Sequence, residues 1–435
     1  MSDLHRYQAI GQAIYQLCVE LFPICRSITG NGIRQSLNIL KGHLPSLELF
    51  EVPSGTKVFD WTIPEEWNIN DAYIIDPIGN KIVDFQQSNL HVVGYSTPVN
   101  KTVTLEELQE HLYSLPDQPD AIPYITSYYQ KRWGFCLTHK QRQALIPGDY
   151  QVYIDSAHTK GSLTYGELIL PGESTEEIFL STYICHPSMA NNELSGPAVT
   201  TYIAKWLTDF DTRRFTYRII FIPETIGSIT YLSRNLSEMK ENIQAGFNIT
   251  CIGDNLSYSC LTSRYGNTLA DRVVCHVLSH LHPGFKQYSF LDRRSDERQY
   301  CSPGVNLPVA TIMRSKYGAY PEYHTSLDNL DFISPEGLAG GYEVVKLCIE
   351  CLEKNLSYKT NILCEPQLGK HGLYPTLSTK ASQGVVRDMM NLIAYCDGTN
   401  DLLTIAEMIN VPMWTLFDLI DQLIEKQVIE QVSIV

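Results

Sequence analysis

Ser181-Thr182-Tyr183-Ile184-Cys185-His186-Pro187-Ser188-Met189-Ala190-Asn191-Asn192-Glu193-Leu194-Ser195-Gly196 decides how the chain folds. It follows Ile178-Phe179-Leu180, so an apolar run stops at a His-Pro pair and gives way to a polar loop. Ser195-Gly196 then opens a helix-compatible run through Trp206. That order predicts a buried strand, a loop at its C-terminal end and a helix. In open α/β sheets ligands bind at such strand ends, in the crevice between loops. This loop holds a histidine beside a carboxylate.

Outward from it the α/β rhythm is regular. Strands are predicted at 177–185, 215–222, 246–252 and 307–313, and helices at 195–208 and 266–281. A further helix starts at Ser334-Pro335, a cap residue followed by proline at the first helical position, and runs to about Asn355. The expected fold class is α/β, a mixed sheet with a parallel centre covered by helices. Two N-terminal helices break at Pro23; Ile10, Ile14, Leu17 and Leu21 share a face of the first, and a glycine-bearing loop between them holds Arg26. Tyr124 to Trp133 is predicted as helix. Residues 51–121 read as short strands punctuated by Pro, Gly, Asn and Asp, a β-rich module inserted into an α/β domain of residues 1–50 and 122–362.

Residues 363–435 read as a winged helix-turn-helix: three helices, a turn at Asn410-Val411-Pro412 and a terminal β segment. Nucleic acid is an unlikely partner, because residues 366–435 carry four basic side chains against eight acidic ones. The helix at 413–426 has no basic residue before Lys426. A protein partner or self-association is the expected use of this domain. The whole chain of 435 residues has a formal charge of −15, which argues against phosphate-rich surfaces. It contains no run of 18 apolar residues and no apolar core behind Met1, so a membrane partner is not expected and a cytoplasmic location is. The twelve cysteines are scattered through apolar runs, as expected of reduced core thiols.

His186, the Asn192-Glu193 pair, Glu224 and His324 all fall on loops at one edge of the predicted sheet. Each has a structural reading taken alone: a His-Pro corner, an acid near the start of a helix, a surface histidine. Together, two imidazoles and a carboxylate are what an open zinc site needs, and a further glutamate can take a proton from bound water.

The order His186, Asn192-Glu193-Leu194-Ser195-Gly196, Glu224-Thr225-Ile226-Gly227-Ser228, Ser295-Asp296-Glu297 and His324-Thr325-Ser326-Leu327-Asp328 resembles the zinc aminopeptidases of the bacterial leucine-aminopeptidase type. Those show His, Asp-Asn-x-Ser-Gly, Glu-Glu-x-Gly, Asp, Ser-Asp-His and His-Thr-x-x-Asp in this order. With its inserted β module and acidic winged helix, the whole chain resembles a bacterial family of three-module, aminopeptidase-like proteins. The resemblance implies a metal-dependent hydrolase of peptide or amide bonds, with Glu224 as general base. Three liganding positions depart from the pattern: Asn192 replaces a bridging Asp, Thr225 a second Glu, and Thr250 stands near a third carboxylate position. One zinc ion is therefore expected, held by His186, His324 and Glu193. Asp296, Glu297, Arg298, Tyr320, Tyr323 and Arg26 are the expected substrate contacts. The competing expectation is a catalytically idle aminopeptidase-like scaffold used for binding.

Overall fold

The computed structural model describes residues 3–373 and 380–432. Strands β1 (Glu48–Pro53), β2 (Ser162–Leu170), β3 (Glu177–Tyr183), β4 (Thr216–Ile222), β5 (Ile243–Ile249), β6 (Ser259–Leu261), β7 (Lys286–Tyr288) and β8 (Val309–Met313) form one sheet. Their order is β1-β2-β4-β3-β5-β8-β6-β7. The four inner strands β4, β3, β5 and β8 run parallel, with antiparallel strands outside them. Every residue of β3 and of β8 is buried, as parallel strands covered on both faces must be. The consequence for function is geometric: the loops that leave β3, β4, β5 and β8 emerge side by side at one edge.

Helices α1 (Asp3–Leu21), α2 (Asn31–His43), α3 (Ser195–Thr208), α4 (Ile226–Asn242), α5 (Leu269–Leu281) and α6 (Pro335–Lys354) are the long helices of this region. Ser334 Oγ accepts the Gly337 N–H at 2.9 Å, so the predicted cap of α6 is made. Helix α3 starts so close to the sheet that a Cβ on Gly196 would lie 2.5 Å from the Ile249 carbonyl oxygen and from Thr182 Oγ1. Only glycine permits that approach.

Three expectations are corrected by hydrogen bonding. The β module does not end at Ala121: its sheet runs Lys81–Asp84, Glu66–Ile75, Asp149–Thr159, Val99–Thr104, and the strand Asp149–Thr159 comes from beyond that boundary. The C-terminal domain begins before residue 363, because Ser357–Thr360 pairs with both Asp397–Asp401 and Ile429–Gln431. Tyr124–Trp133 is not helical. It is an irregular segment tied by bridges from Thr126 to Gly94 and from Pro123 to Thr325.

By contacts the chain divides into two compact units, Met1–Asp271 with Lys286–Tyr342, and Arg272–Phe285 with Glu343–Val435. In the second, α-helices Lys380–Tyr395, Leu402–Ile409 and Phe417–Glu425 accompany a three-stranded sheet, the winged-helix architecture. No single helix among the described residues is long and apolar enough to cross a membrane.

Candidate active site

The loop after β3 closes into a π-helical turn, Ala190–Leu194, whose five residues are all buried. Such turns insert an extra residue per turn and recur at functional sites. Here the turn carries the Glu193 carboxylate under His186: Nδ1 of His186 lies 2.6 Å from Glu193 Oε2, and the Cys185 N–H donates to Glu193 Oε1. Arg26 completes this layer, its Nε donating to the His186 carbonyl at 2.9 Å and standing 4.0 Å from Glu193. The ring's other nitrogen, Nε2, lies 3.6 Å from Glu224 Oε2. The His324 ring lies beside them, its centroid 5.6 Å from that of His186.

Each of the four loops contains a non-glycine residue with positive φ: Ser188 (35°), Thr225 (64°), Cys251 (47°) and His324 (56°). Such conformations cost roughly 1–3 kcal/mol each and collect at functional sites. His324 is also held by its neighbours. Tyr323 stacks on its ring at 3.9 Å, Tyr124 meets it edge-on at 5.2 Å, and the Tyr124 N–H donates to its carbonyl at 2.9 Å.

The electrostatics separate the two imidazoles. Burial disfavours a charged His186, but the acidic groups at Cys185 and Glu193 outweigh it and hold this pKa well above the usual histidine range. Cys185, pushed up to about 11 by burial, is a neutral thiol at pH 7, so Glu193 is the counter-charge that acts. Burial and the neighbouring His186 bring His324 down to about 3, leaving a neutral imidazole with a lone pair to give. Burial raises Glu224, against the pull of His186 and Arg298.

These groups line a pocket of about 370 Å³ walled by Tyr124, Tyr128, Trp61 and Tyr129, with Cys185, His186, Glu224, Thr225, Arg298 and His324 in its wall. Of the expected metal and base residues, His186, Glu224 and His324 meet there. Glu193 does not: it lies on the Nδ1 side of the His186 ring, away from Glu224, and is corrected from ligand to the group that orients the ring. Cys185, His186 and Glu193 also cluster closely enough to suggest a cation, but a 2.6 Å Nδ1–Oε2 contact is a hydrogen bond, and a cation there would have to break it.

Among the expected substrate contacts only Arg298 lines the pocket; its Nη2 donates to Thr225 Oγ1 and its covered Nε has no hydrogen-bond partner among the described residues. Arg26 is fully buried among carbonyls. Glu297 is an internal acceptor for the Arg294 and Ser295 N–H groups and for the Tyr317 hydroxyl. Asp296 accepts from the Thr225 N–H and Ser228 Oγ, both at 2.7 Å, and so shapes the strained turn after Glu224. Tyr320 donates to Asp328 at 3.2 Å, and Tyr323 backs His324. Tyr124 and Tyr128 were missed; the aromatic pair at an i, i+4 spacing beside Pro123 was their signal.

Two of the three departing positions, Asn192 and Thr250, meet in one neutral network, while the third, Thr225, accepts from Arg298. Asn192 Nδ2 donates to the Tyr183 hydroxyl at 2.7 Å and Thr250 Oγ1 lies 2.6 Å from the same oxygen. Asn192 Oδ1 is covered and without a hydrogen-bond partner among the described residues. His186, His324 and Glu224 share one pocket wall, with His186 Nε2 3.6 Å from Glu224 Oε2 and the His324 imidazole neutral. These donors are of the kind that can hold one divalent cation. They do not fit two, since no carboxylate stands at Asn192, Thr225 or Thr250 to offset a second charge.

A mixed α/β sheet with a histidine and a glutamate on loops at its parallel strand ends, in a chain that also carries a C-terminal winged helix, defines an aminopeptidase-like fold with a winged-helix domain. Residues 15–355 match the family described as a domain of unknown function (DUF4910), and residues 356–431 match the winged helix-turn-helix family. The chain belongs to the DUF4910 family. It is 47% identical over 412 residues to a Clostridium acetobutylicum protein named for polysaccharide biosynthesis and an aminopeptidase-like domain, covering 93% of this chain and 94% of that one. A solved C. acetobutylicum structure described as a peptidase is similar with a TM-score of 0.93 at 45% identity, over 98% of both chains. A zinc aminopeptidase from Bacillus subtilis shares the fold at 13% identity, with a TM-score of 0.56 over 78% of this chain and 94% of that one.

Proposed function

We propose that the chain is a metal-dependent amide hydrolase of the aminopeptidase type, working with one divalent cation, zinc first among the candidates. The observation that carries this is the convergence of His186 Nε2, His324 and Glu224 on one aromatic-walled pocket. His186 and His324 would hold the cation, with Glu193 fixing the His186 ring from behind. A bound cation supplies Lewis-acid polarisation of a carbonyl and acidifies bound water.

The chain's own residues do the rest. Glu224, the one carboxylate in the pocket wall and 22% exposed at its side chain, takes the proton from the attacking water and returns it to the leaving amine; its raised pKa suits both steps. Arg298, in the same wall, brings a positive charge to the pocket in which negative charge develops. Trp61, Tyr128 and Tyr129 exclude water around the acyl or amine side. The relative's association with polysaccharide biosynthesis supports an amide carried on a sugar over a long peptide, and the small pocket supports a small substrate. Twelve free thiols suit a reducing, cytoplasmic setting.

Turnover of aminoacyl anilides and N-acyl hexosamines, with and without chelator, tests the proposal. Chelator-sensitive turnover that Glu224→Gln abolishes, while the cation is retained, is the expected result. A second reading, a binding protein on an idle scaffold, is favoured by the neutral side chains at Asn192, Thr225 and Thr250. It predicts ligand binding indifferent to chelator and no turnover.

A further inference from the structure

A second and larger cavity, about 730 Å³, lies beside the pocket, within the range of ligand sites. The two share their dividing wall: Ser27, Ser188 and Ser326 line the groove, while Ile28, His186 and His324, one or two residues away, line the pocket. Of the 22 residues lining the groove, none is Lys, Arg, Asp, Glu or His. In a chain with 19% charged residues, most of them on the surface, an open groove of this size without one is selected against charge. Five asparagines, three glutamines, four serines and a threonine make up more than half of the wall.

That composition defines the ligand. Phosphate-bearing ligands need cations to replace their counter-ions, and ammonium ligands need carboxylates or aromatic cages; neither is provided. Carboxamides both donate and accept through adjacent atoms, which is the pattern that paired sugar hydroxyls require. Phe22, Trp67 and Phe85 add apolar ring surface to the same wall, against which the C–H face of a sugar can lie. Asn70 Nδ2 donates to Asp155 at 3.1 Å, which fixes that amide from behind, whereas the Asn68 amide is tied on both sides, its Nδ2 to Glu66 at 3.0 Å and its Oδ1 to the Asn31 N–H at 2.7 Å.

We propose that this groove binds a neutral oligosaccharide. The inference rests on the lining and stands apart from the metal site, so either can fail alone. The test is calorimetric titration of the full-length protein with maltohexaose, cellohexaose and chitohexaose at low and high salt. Gln35 and Gln87 are exposed and make no side-chain hydrogen bond among the described residues, so Gln35→Ala/Gln87→Ala leaves the fold intact; Phe85→Ala removes a ring, with its melting temperature as the fold check. Saturable binding of at least one glycan with a Kd below about 1 mM is expected. It should be indifferent to salt, unchanged in His186→Ala and weakened about tenfold or more by the double variant. No binding of any of the three up to about 10 mM, equal binding by wild type and double variant, or loss of binding in His186→Ala would overturn the proposal.

Discussion

Glu193 and Glu224 stand on opposite sides of one imidazole, and their positions separate two tasks that sequence spacing alone had merged. Glu193, hydrogen-bonded to Nδ1, fixes the ring and its tautomer; Glu224, near Nε2, faces substrate. Glu193→Gln should therefore weaken cation binding about 10- to 100-fold without touching the pocket wall, as read by competition with a chromogenic chelator. Asn192→Asp tests the departed ligand position from the other direction. A carboxylate buried among Tyr183, Thr250 and Cys251 without a cation should destabilise the protein by ~2–4 kcal/mol, and added zinc should restore the loss; thermal melts with EDTA and with zinc measure both. The meeting of His186, Glu224 and His324 in one pocket wall was legible in the sequence because each follows a strand of the parallel block, and strand ends meet; Arg298, in the short helix Glu297–Tyr300, is expected there from the resemblance alone. Arg26, Glu297 and Tyr320 were misplaced because a loop position does not say whether a side chain turns outward or into the core. Arg26 turned inward, against the Leu21 and His186 carbonyls.

Local elements followed from local signals. The apolar run before His186, the glycine after Ser195 and the Ser-Pro start of α6 each produced the element they predict, because each acts within a few residues. Pairing did not follow in the same way. Asp149–Thr159 and Ser357–Thr360 alternate like any strand, and which sheet receives them is decided by partners far away in the chain. Tyr124–Trp133 is expected as a helix, yet Tyr124 meets both histidine rings, Tyr128 meets Tyr95 and Tyr129 meets Trp61, and its β-branched and aromatic residues have little helix propensity to oppose that packing. In the winged-helix unit, His276 Nε2 accepts the Met413 N–H at 2.9 Å. Burial, with the charges of His280 and Arg272, lowers its pKa to about 4, below the ~6.5 of an unfolded histidine. The unfolded chain then binds more protons between these values, so this contribution is fully present above about pH 6.5 and is lost as pH falls through about 4. The protection factor of the Met413 amide, taken against intrinsic exchange at each pH, should fall over that window in the wild type and stay flat in His276→Gln. Equal slopes in both would show that His276 is not the titrating group.

At the scale of the whole molecule, composition had already separated the functions. An acidic chain with an acidic winged helix is expected to be a poor partner for a phosphate backbone. Fluorescence anisotropy with a short DNA duplex at low salt should show no affinity tighter than about 1 μM; salt-sensitive nanomolar binding would make the C-terminal domain a DNA reader after all. The aminopeptidase-like part then depends on a single property, the capacity of His186 and His324, 138 positions apart, to share one cation. Elemental analysis after zinc loading and desalting, on wild type, His186→Ala and His324→Ala, measures it directly. One cation per wild-type chain, with both variants depleted about tenfold or more, is the predicted result. Equal metal in all three proteins, or none in the wild type, would contradict it.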